Sequence, residues 1–546
     1  MSAPWWQAAT GYQIYPRSFC DSNGDGIGDI PGITSKLDYL ADLGVGFIWL
    51  SPVYRSPMAD NGYDISGYRD IAPEFGTLSD FDDLLAQARA RGIRIVMDLV
   101  VNHTSDEHAW FQEARADPAS PRRDWYIWRN AGPDGGPPNG MQSVFGGPAW
   151  TWDEVAGQYY FHLFDPKQPD LNWDCADMRA EVHDMMRWWL DRGVAGFRMD
   201  VIDLIGKDVD RGITTDGPTL HPHLQEMNAA VLAGRDVVTV GETWSATPET
   251  ALLYCGRDRG ELSMVFQFAH VIAGHDPEHG KWRPRPVDWP ALKRVLNTWQ
   301  EVCAQDGWNS LFWGNHDLPH AVSKYGDDGE HRVASAKALA TVLHLMKGTP
   351  YVYQGEEIGM TNAAFTRLDQ FRDVETLNFH RLQMAAGVAE TDFLAGANEN
   401  GRDNARTPMQ WTDGPQAGFT TGTPWIEVNP NHATLNVAAD LADPDGVSAR
   451  YRALATLRAQ SEVIRQGRYT PFDADHPQVM AYTRRLDAAW IAVIGNLSSQ
   501  PVDYALPDRL HLTGWPLFEQ AQTTRHLRGI VPLSPWQVIV LSSAPR

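Results

Sequence analysis

Residues 196–203 read GFRMDVID, with Arg198 and Asp200 two apart among apolar neighbours. Side chains alternate across a β-strand, so these two charges share one face while Phe197, Met199 and Val201 take the other. Alone, an Arg-x-Asp of this kind reads as a buried structural ion pair. Other apolar runs in the chain also end in polar residues: DLVVNH brings Asp98, Asn102 and His103, VGETW brings Glu242, and FWGNHD brings His316 and Asp317. If the fold gathers these ends, the carboxylates of Asp200, Glu242 and Asp317 meet an arginine and two histidines, more than one salt bridge needs. Three clustered carboxylates suit cleavage of a glycosidic bond, where one carboxylate attacks the anomeric carbon and a second carboxyl protonates the leaving oxygen and then deprotonates water. Hydrolysis at a metal is the competing chemistry, but it favours His-x-His or His-x-x-x-His ligand pairs, which these run ends lack.

The elements that would gather them are eight short apolar runs: GYQIYPRSF, VGFIWLSP, GIRIVMDLVVNH, GVAGFRMDV, DVVTVGETW, LSMVFQF, NSLFWGNHD and TPYVYQGEE. Amphipathic helical patterns lie between several of them, at 79–92, 177–193, 291–307 and 331–348. This alternation predicts a (β/α)8 barrel, whose active site forms at the C-terminal ends of the strands. The interval 104–172 is too long for a simple βα connection and is rich in Gly, Pro and Trp, which predicts an inserted subdomain after the third strand. After a last helix over 446–464, runs such as VMAYTRR, AAWIAVIGNL and WQVIVLSS alternate, predicting a C-terminal antiparallel β domain. The expected division is therefore barrel over 1–103 and 173–467, insertion over 104–172 and β domain over 468–546.

Composition narrows the partners. A formal charge of -23 disfavours nucleic acid and anionic membranes, and no apolar run is long enough to span a bilayer. The 22 tryptophans exceed ordinary packing needs and suit stacking on sugar faces. Four scattered cysteines without a C-x-x-C pair, and a start without a basic and apolar leader, predict a soluble protein of the cytoplasm. The stretch DSNGDGIGD places oxygen donors at Asp21, Asn23, Asp25 and Asp29, with the Ile27 carbonyl between the last two. This spacing matches the first nine positions of an EF-hand loop, including Gly26 at the sixth, although Gly32 stands where the bidentate Glu would be. A plain Asp/Asn/Gly turn is the alternative.

DLVVNH (98–103), GFRMDVID (196–203), VGETW (240–244) and FWGNHD (312–317) resemble the four signature regions of the α-amylase family of glycoside hydrolases, family 13. QPDLNW (168–173) and GRDNARTPMQW (401–411) resemble its oligo-1,6-glucosidase and dextran glucosidase branch. The likeness runs in order along nearly the whole chain.

The resemblance implies Asp200 as nucleophile, Glu242 as general acid/base and Asp317 as the carboxylate that holds and distorts the sugar. In that reading Arg198 keeps Asp200 ionised, and the surroundings of Glu242 favour its protonated form. His103 and His316 would bind sugar hydroxyls, Asp60 and Arg402 would grip the 4-hydroxyl of the terminal glucose, and Tyr63 would stack beneath its ring. Val201 would narrow the acceptor side and favour the more flexible α-1,6 bond. The resemblance further implies a structural divalent ion at the 21–29 loop, calcium with magnesium as the other candidate, and no organic cofactor. The expected activity is exo-acting, retaining release of glucose from isomalto-oligosaccharides by a monomer or weak homo-oligomer. The alternatives are an α-1,4-preferring α-glucosidase and a sucrose isomerase or transglucosylase on the same scaffold, although TRLDQFRDVET (366–376) lacks the arginine-rich pattern of the isomerases. A non-catalytic transporter subunit of similar fold would carry a membrane span and lack these carboxylates.

Overall fold

The structure, a computed structural model, describes residues 3–304, 306–508, 510–519 and 523–545. Eight parallel strands form one curved sheet: β1 (Gly11–Ile14), β2 (Phe47–Leu50), β3 (Arg94–Val100), β4 (Gly196–Asp200), β5 (Val238–Thr243), β6 (Met264–Gln267), β7 (Ser310–Leu311) and β8 (Thr349–Tyr353). Their order is β6-β5-β4-β3-β2-β1-β8-β7, and a parallel bridge from Val265 to Asn309 joins the two edges into a barrel. These are the eight runs expected from the sequence.

Each strand turns one set of side chains inward and the other outward to the helices. Phe47, Trp49, Val96, Val238, Val240, Met264, Phe266 and Tyr351 share one buried cluster. Ile48, Leu50, Ile95, Met97, Leu99, Phe197 and Met199 belong to the larger cluster that the helices cover. The helix Leu78–Ala90 illustrates the pattern: a Thr77/Asp80 capping box starts it, and Phe81, Leu84, Leu85 and Ala88 bury one stripe. The helix Ala176–Arg192 buries Met178, Val182, Met185, Met186, Trp189 and Leu190, and ends on Gly193 at φ 118°. Among the described residues no helix is long and apolar enough to cross a membrane.

Three helices differ in their bounds from the sequence patterns, the one expected over 331–348 ending at His344. The helix expected over 291–307 spans Trp289–Val302, and the one over 446–464 is two helices, Val447–Gln460 and Glu462–Gln466, parted where Ser461 turns extended.

Between β3 and β4 lies a three-stranded antiparallel sheet of Trp128–Arg129, Gln158–Phe161 and Trp150–Asp153. After the last barrel helices, six strands form an antiparallel sheet accompanied by a two-stranded one. One buried arginine of this region, Arg484, holds it to the barrel by donating to the carbonyls of Leu345 at 2.8 Å and Ile464 at 2.6 Å, and a second, Arg458 of the helix Val447–Gln460, ties that helix to Gly348 at 2.6 Å and Met346 at 3.1 Å. Their charges thus cap the C-terminal ends of helices.

The close pairing of β4 with β5 depends on Gly196. Its φ is 144°, and a Cβ there would stand 1.9 Å from the Val238 carbonyl oxygen. Gly196→Ala should therefore lose stability by at least about 1–3 kcal/mol, because backbone has to move on both strands. A melting temperature equal to that of the wild type in a thermal scan would contradict this.

Candidate active site

The inner face of β3, β4 and β5 changes from apolar to charged toward the C-terminal ends of the strands. Register sets Asp98 beside Arg198 and Val100 beside Asp200. Arg198 is fully buried and serves three carboxylates together. Its Nη1 donates to Asp98 Oδ1 and to Asp200 Oδ1, each at 2.8 Å, while Nη2 donates to Glu242 Oε2. Its guanidinium lies 5.0 Å above the Trp49 ring.

The bond from Arg198 to Asp200 is present, and the same guanidinium also serves Asp98 and Glu242. Burial pushes the Asp200 carboxyl well above its ordinary range, Arg198 opposes this, and Glu242 and Asp98 add to it. Burial likewise pushes Asp98 up to about 6 against the pull of Arg198. One cation among three buried acids favours a proton retained by the group as a whole. Glu242 accepts from three donors: Arg198, the Val201 N–H at 3.1 Å and Trp244 Nε1 at 2.9 Å.

Val201 is not a strand residue. β4 stops at Asp200, and Val201 takes φ 36° and ψ 45°, opening a short 3-10 turn. A β-branched side chain rarely adopts this left-handed backbone. The turn aims the Val201 N–H at Glu242, while the side chain belongs to one buried cluster with Leu204 and with Ile127, Trp150 and Phe161 of the insertion.

A second charged system lies opposite. Arg402 donates through Nε to Asp373 at 2.8 Å, through Nη2 to Asp60 at 3.2 Å and through Nη1 to Asp317 at 3.4 Å. Arg406 donates to Asp317 at 2.7 Å and to Asp373 at 3.4 Å. Burial works against ionised Asp317 but is outweighed by His316, Arg402, Arg406 and Arg198, which hold its carboxyl well below the usual range. Asp60 behaves oppositely, pushed up to about 7 by burial despite Arg402.

Tyr63 and the histidines complete the wall. The Tyr63 hydroxyl donates to Asp98 at 3.0 Å, and its ring stacks on His316 with centroids 5.1 Å apart and planes 7° apart. His316 is fully buried behind that ring. Gln13 donates to its Nδ1 at 2.8 Å, and its Nε2 lies 3.3 Å from Asp317. His103 contacts the Tyr63 carbonyl at 3.1 Å and the Gln168 amide at 3.2 Å, and Gln168 also donates to Asp60 at 3.1 Å. Burial lowers His103 to about 4 and His316 to about 3, so both rings are neutral at pH 7. Asp60, Tyr63, His103, Asp200, Val201, Glu242, Asp317 and Arg402 line one cavity of about 850 Å³. Its inner wall is buried, whereas Val144 and Trp244 at 49% and 38% exposure form an open rim.

The 21–29 loop lies apart from the cavity lining. Asp21 accepts from the amides of Asn23, Gly24 and Gly26 at 2.9, 2.7 and 2.8 Å, and from the Thr420 hydroxyl. Asn23 accepts from Asp25, Asp25 from Ile27, and Asp29 caps the next helix through Gly32. The donors are all oxygen, as a hard cation requires, so the set fits such an ion chemically. Among the described residues these acids are not drawn into one three-carboxylate cluster.

The chain matches the α-amylase catalytic domain over residues 13–467. It belongs to the α-amylase family of glycoside hydrolases. Within that family it is 52% identical over 544 residues to a palatinase of Erwinia rhapontici, covering 99% of each chain. It is 50% identical over 562 residues to an oligo-1,6-glucosidase of Parageobacillus thermoglucosidasius, again covering 99% of each. The crystal structure of an isomaltulose synthase from Klebsiella sp. LX3 superposes with a TM-score of 0.95 at 40% identity, covering 99% of this chain and 100% of the other.

Several residues of the site carried no assigned role in the sequence reading. Arg406 follows Arg402 by four residues on the turn Asp403–Arg406, a spacing that could have paired them. Gln168 opens QPDLNW, quoted only as a likeness. Asp373 reaches Arg402 across 29 residues, and no local pattern announces that contact.

Arg402→Lys replaces a planar fork with a point charge and cannot span Asp60, Asp317 and Asp373 together. A loss of about 2–4 kcal/mol in transition-state stabilisation is expected, read as a fall of at least about 30-fold in kcat/KM on an α-glucoside. For Asp60 the sign follows from its raised value. Between 3.8 and about 7 the folded chain holds a proton that the unfolded chain releases, so this stability is present below 3.8 and lost as pH rises through 7. Asp60→Asn should therefore show a shallower fall of the urea midpoint between pH 4 and pH 7 than the wild type.

Proposed function

We propose that this protein is an exo-acting, retaining α-glucosidase that releases glucose from the non-reducing end of small oligosaccharides and prefers α-1,6 bonds. The observation that carries the reading is the joining of Asp200 and Glu242 by one guanidinium inside a cavity whose buried end holds Asp60, Asp317 and Arg402. Two carboxylates on adjacent nitrogens of one guanidinium favour the short separation, about 5 Å, that retention needs.

In this mechanism Asp200 attacks the anomeric carbon as Glu242 protonates the departing oxygen. The glucosyl ester on Asp200 is then opened by water, whose proton returns to Glu242. Arg198 holds both groups, and its bond to Asp200 weakens that carboxylate's charge less than a full proton would. Asp317, kept ionised by Arg402 and Arg406, takes the hydrogens of ring hydroxyls and favours the distorted ring. Asp60 with Arg402 closes the end and fixes the terminal 4-hydroxyl, while Tyr63 supports the ring face. His103 lines the sugar pocket as a neutral ring whose single hydrogen goes to the Tyr63 carbonyl, and His316 acts beside Asp317 from behind Tyr63.

The linkage preference is supported by the names of relatives at 50% identity and by Val201, whose side chain lines the cavity next to Asp200. A small pocket contact changes preference by about 1–3 kcal/mol, so the effect is a ratio of rates. The cavity exceeds one glucose, and this room for an acceptor sugar favours glucosyl transfer as a second activity at high substrate.

A product time course on isomaltose, maltose and sucrose tests the reading. The wild type should have the higher kcat/KM on isomaltose, Val201→Ala should narrow the gap by improving maltose, and proton NMR of fresh product should show α-glucose first. Initial β-glucose would exclude retention, and release of the second sugar from a substrate blocked at its non-reducing end would exclude exo action.

We also propose a structural calcium ion held by Asp21, Asn23, Asp25, Asp29 and the Ile27 carbonyl. An ion bound only by the folded chain raises stability by mass action. Chelator should lower the melting temperature and added calcium should restore it, with magnesium less effective. A curve that neither addition moves, in a preparation free of metal by elemental analysis, would leave only the turn.

A further inference from the structure

Asp203 has no part in the mechanism above, yet it lies against the same cavity as Glu242. It sits on the 3-10 turn Ile202–Leu204 that follows β4 and is 1% exposed. Its Oδ2 accepts the Ser245 amide at 3.0 Å and the Ser245 hydroxyl at 2.6 Å, and its own carbonyl accepts the Asp216 N–H at 3.1 Å. Burial pushes its carboxyl up to about 7, the two bonds from Ser245 pull against this, and the acids Glu242 and Asp216 add to the rise. A carboxyl buried in this way is costly without its hydrogen bonds. What it holds is Ser245, the residue directly after Trp244.

That contact bears on Glu242 through one indole. Trp244 Nε1 donates to Glu242 Oε1 at 2.9 Å, whereas Arg198 and the Val201 N–H both donate to Oε2. With Oε2 taken by two donors, the proton that Glu242 transfers belongs on Oε1, where the indole fills one lone-pair direction and leaves the other for that hydrogen. The position of the indole therefore sets where the hydrogen points. One face of the ring is stacked on Phe268, with centroids 3.9 Å apart and planes 10° apart, while 38% of Trp244 stays exposed at the rim. β5 ends at Thr243, so Trp244 and Ser245 have already left the sheet, and the Asp203 carboxyl fastens them to the turn after β4.

We propose that Asp203 is a positioning residue for proton transfer by Glu242: by gripping Ser245 it keeps the Trp244 indole on Oε1, and so keeps the transferable hydrogen aimed at the departing oxygen. The inference rests on the reading of Glu242 as general acid. Asp203 acts through Ser245 and Trp244 and exchanges no proton itself. The grip requires a hydrogen-bond acceptor and no charge, so asparagine can supply it and alanine cannot. Loss of aim matters most for a leaving group that must be protonated as it departs, such as the sugar oxygen of isomaltose. It matters least for fluoride, which departs without that help.

The test measures kcat/KM on isomaltose and on α-glucosyl fluoride for the whole protein and its variants. Asp203→Ala should lower the isomaltose value at least about 10-fold and the fluoride value less than about 3-fold. Asp203→Asn should keep both values within about 3-fold of the wild type. Ser245→Ala removes the hydroxyl bond and keeps the amide, so it should show the same bias at about 3-fold, and it carries the test if Asp203→Ala does not fold. Trp244→Phe removes the indole donor, so adding Asp203→Ala to it should bring no further loss on isomaltose. Glu242→Gln is the reference, with a far larger loss on isomaltose than on the fluoride. Equal losses on the two substrates in Asp203→Ala and Ser245→Ala, an Asp203→Asn as poor as Asp203→Ala, or additive losses in the double variant would each overturn the positioning role while the reference bias stands. Absence of that bias in Glu242→Gln would overturn the reading of Glu242 itself, and this inference with it.

Discussion

One buried guanidinium organises the site. Arg198 makes tolerable the burial of Asp98, Asp200 and Glu242, each of which would otherwise cost several kcal/mol as an isolated charge. It can do so only if three adjacent strands keep their register, because a slip of one residue would turn Asp98 or Arg198 out toward the helices. The tight approach of Gly196 to β5 and the apolar layer of Trp49, Val96 and Val240 beneath the charges are conditions for that register. Stability and chemistry therefore meet in the same three strands.

The two charged systems divide the work by their stoichiometry. Around Arg198 one cation faces three acids, so burial wins and the group favours holding a proton. Around Asp317, Arg402 and Arg406 both donate to its carboxylate while Asp60, Asp373 and Glu375 share Arg402, and Asp317 stays ionised although Asp60 does not follow it. The first condition favours a carboxyl that can hold a proton and the second a fixed anion, which the proposed mechanism uses in turn. Counting partners separates the two sites more clearly than any single distance.

What was legible in the sequence follows the range of the interactions. The eight strands were visible because each is a short apolar run ending in polar residues, and the convergence of Asp98, Arg198, Glu242 and Asp317 follows once those strands form a barrel. The Asp60 and Arg402 contact was legible only through likeness, since 342 residues separate them. Two features stayed hidden for physical reasons. The sharing of Arg198 depends on how three side chains divide five donor hydrogens, and the contact of Asp373 with Arg402 depends on where a long loop returns; neither leaves a periodic trace.

The backbone at Val201 shows how the inserted sheet enters the site. A β-branched residue at φ 36° carries strain of about 1–3 kcal/mol, and such strain persists only where the surroundings over-determine it. Here two things do so. The side chain shares one buried cluster with residues of the insertion, and Glu242 accepts the N–H that the left-handed turn presents. The insertion thus shares a core with the turn that follows Asp200 and, through one amide of that turn, bears on Glu242 across the strand boundary. A selector of linkage placed at Val201 cannot be treated as a side-chain volume alone. Any substitution that relaxes the turn also moves a donor of Glu242, so substrate preference and acid function are coupled at that residue.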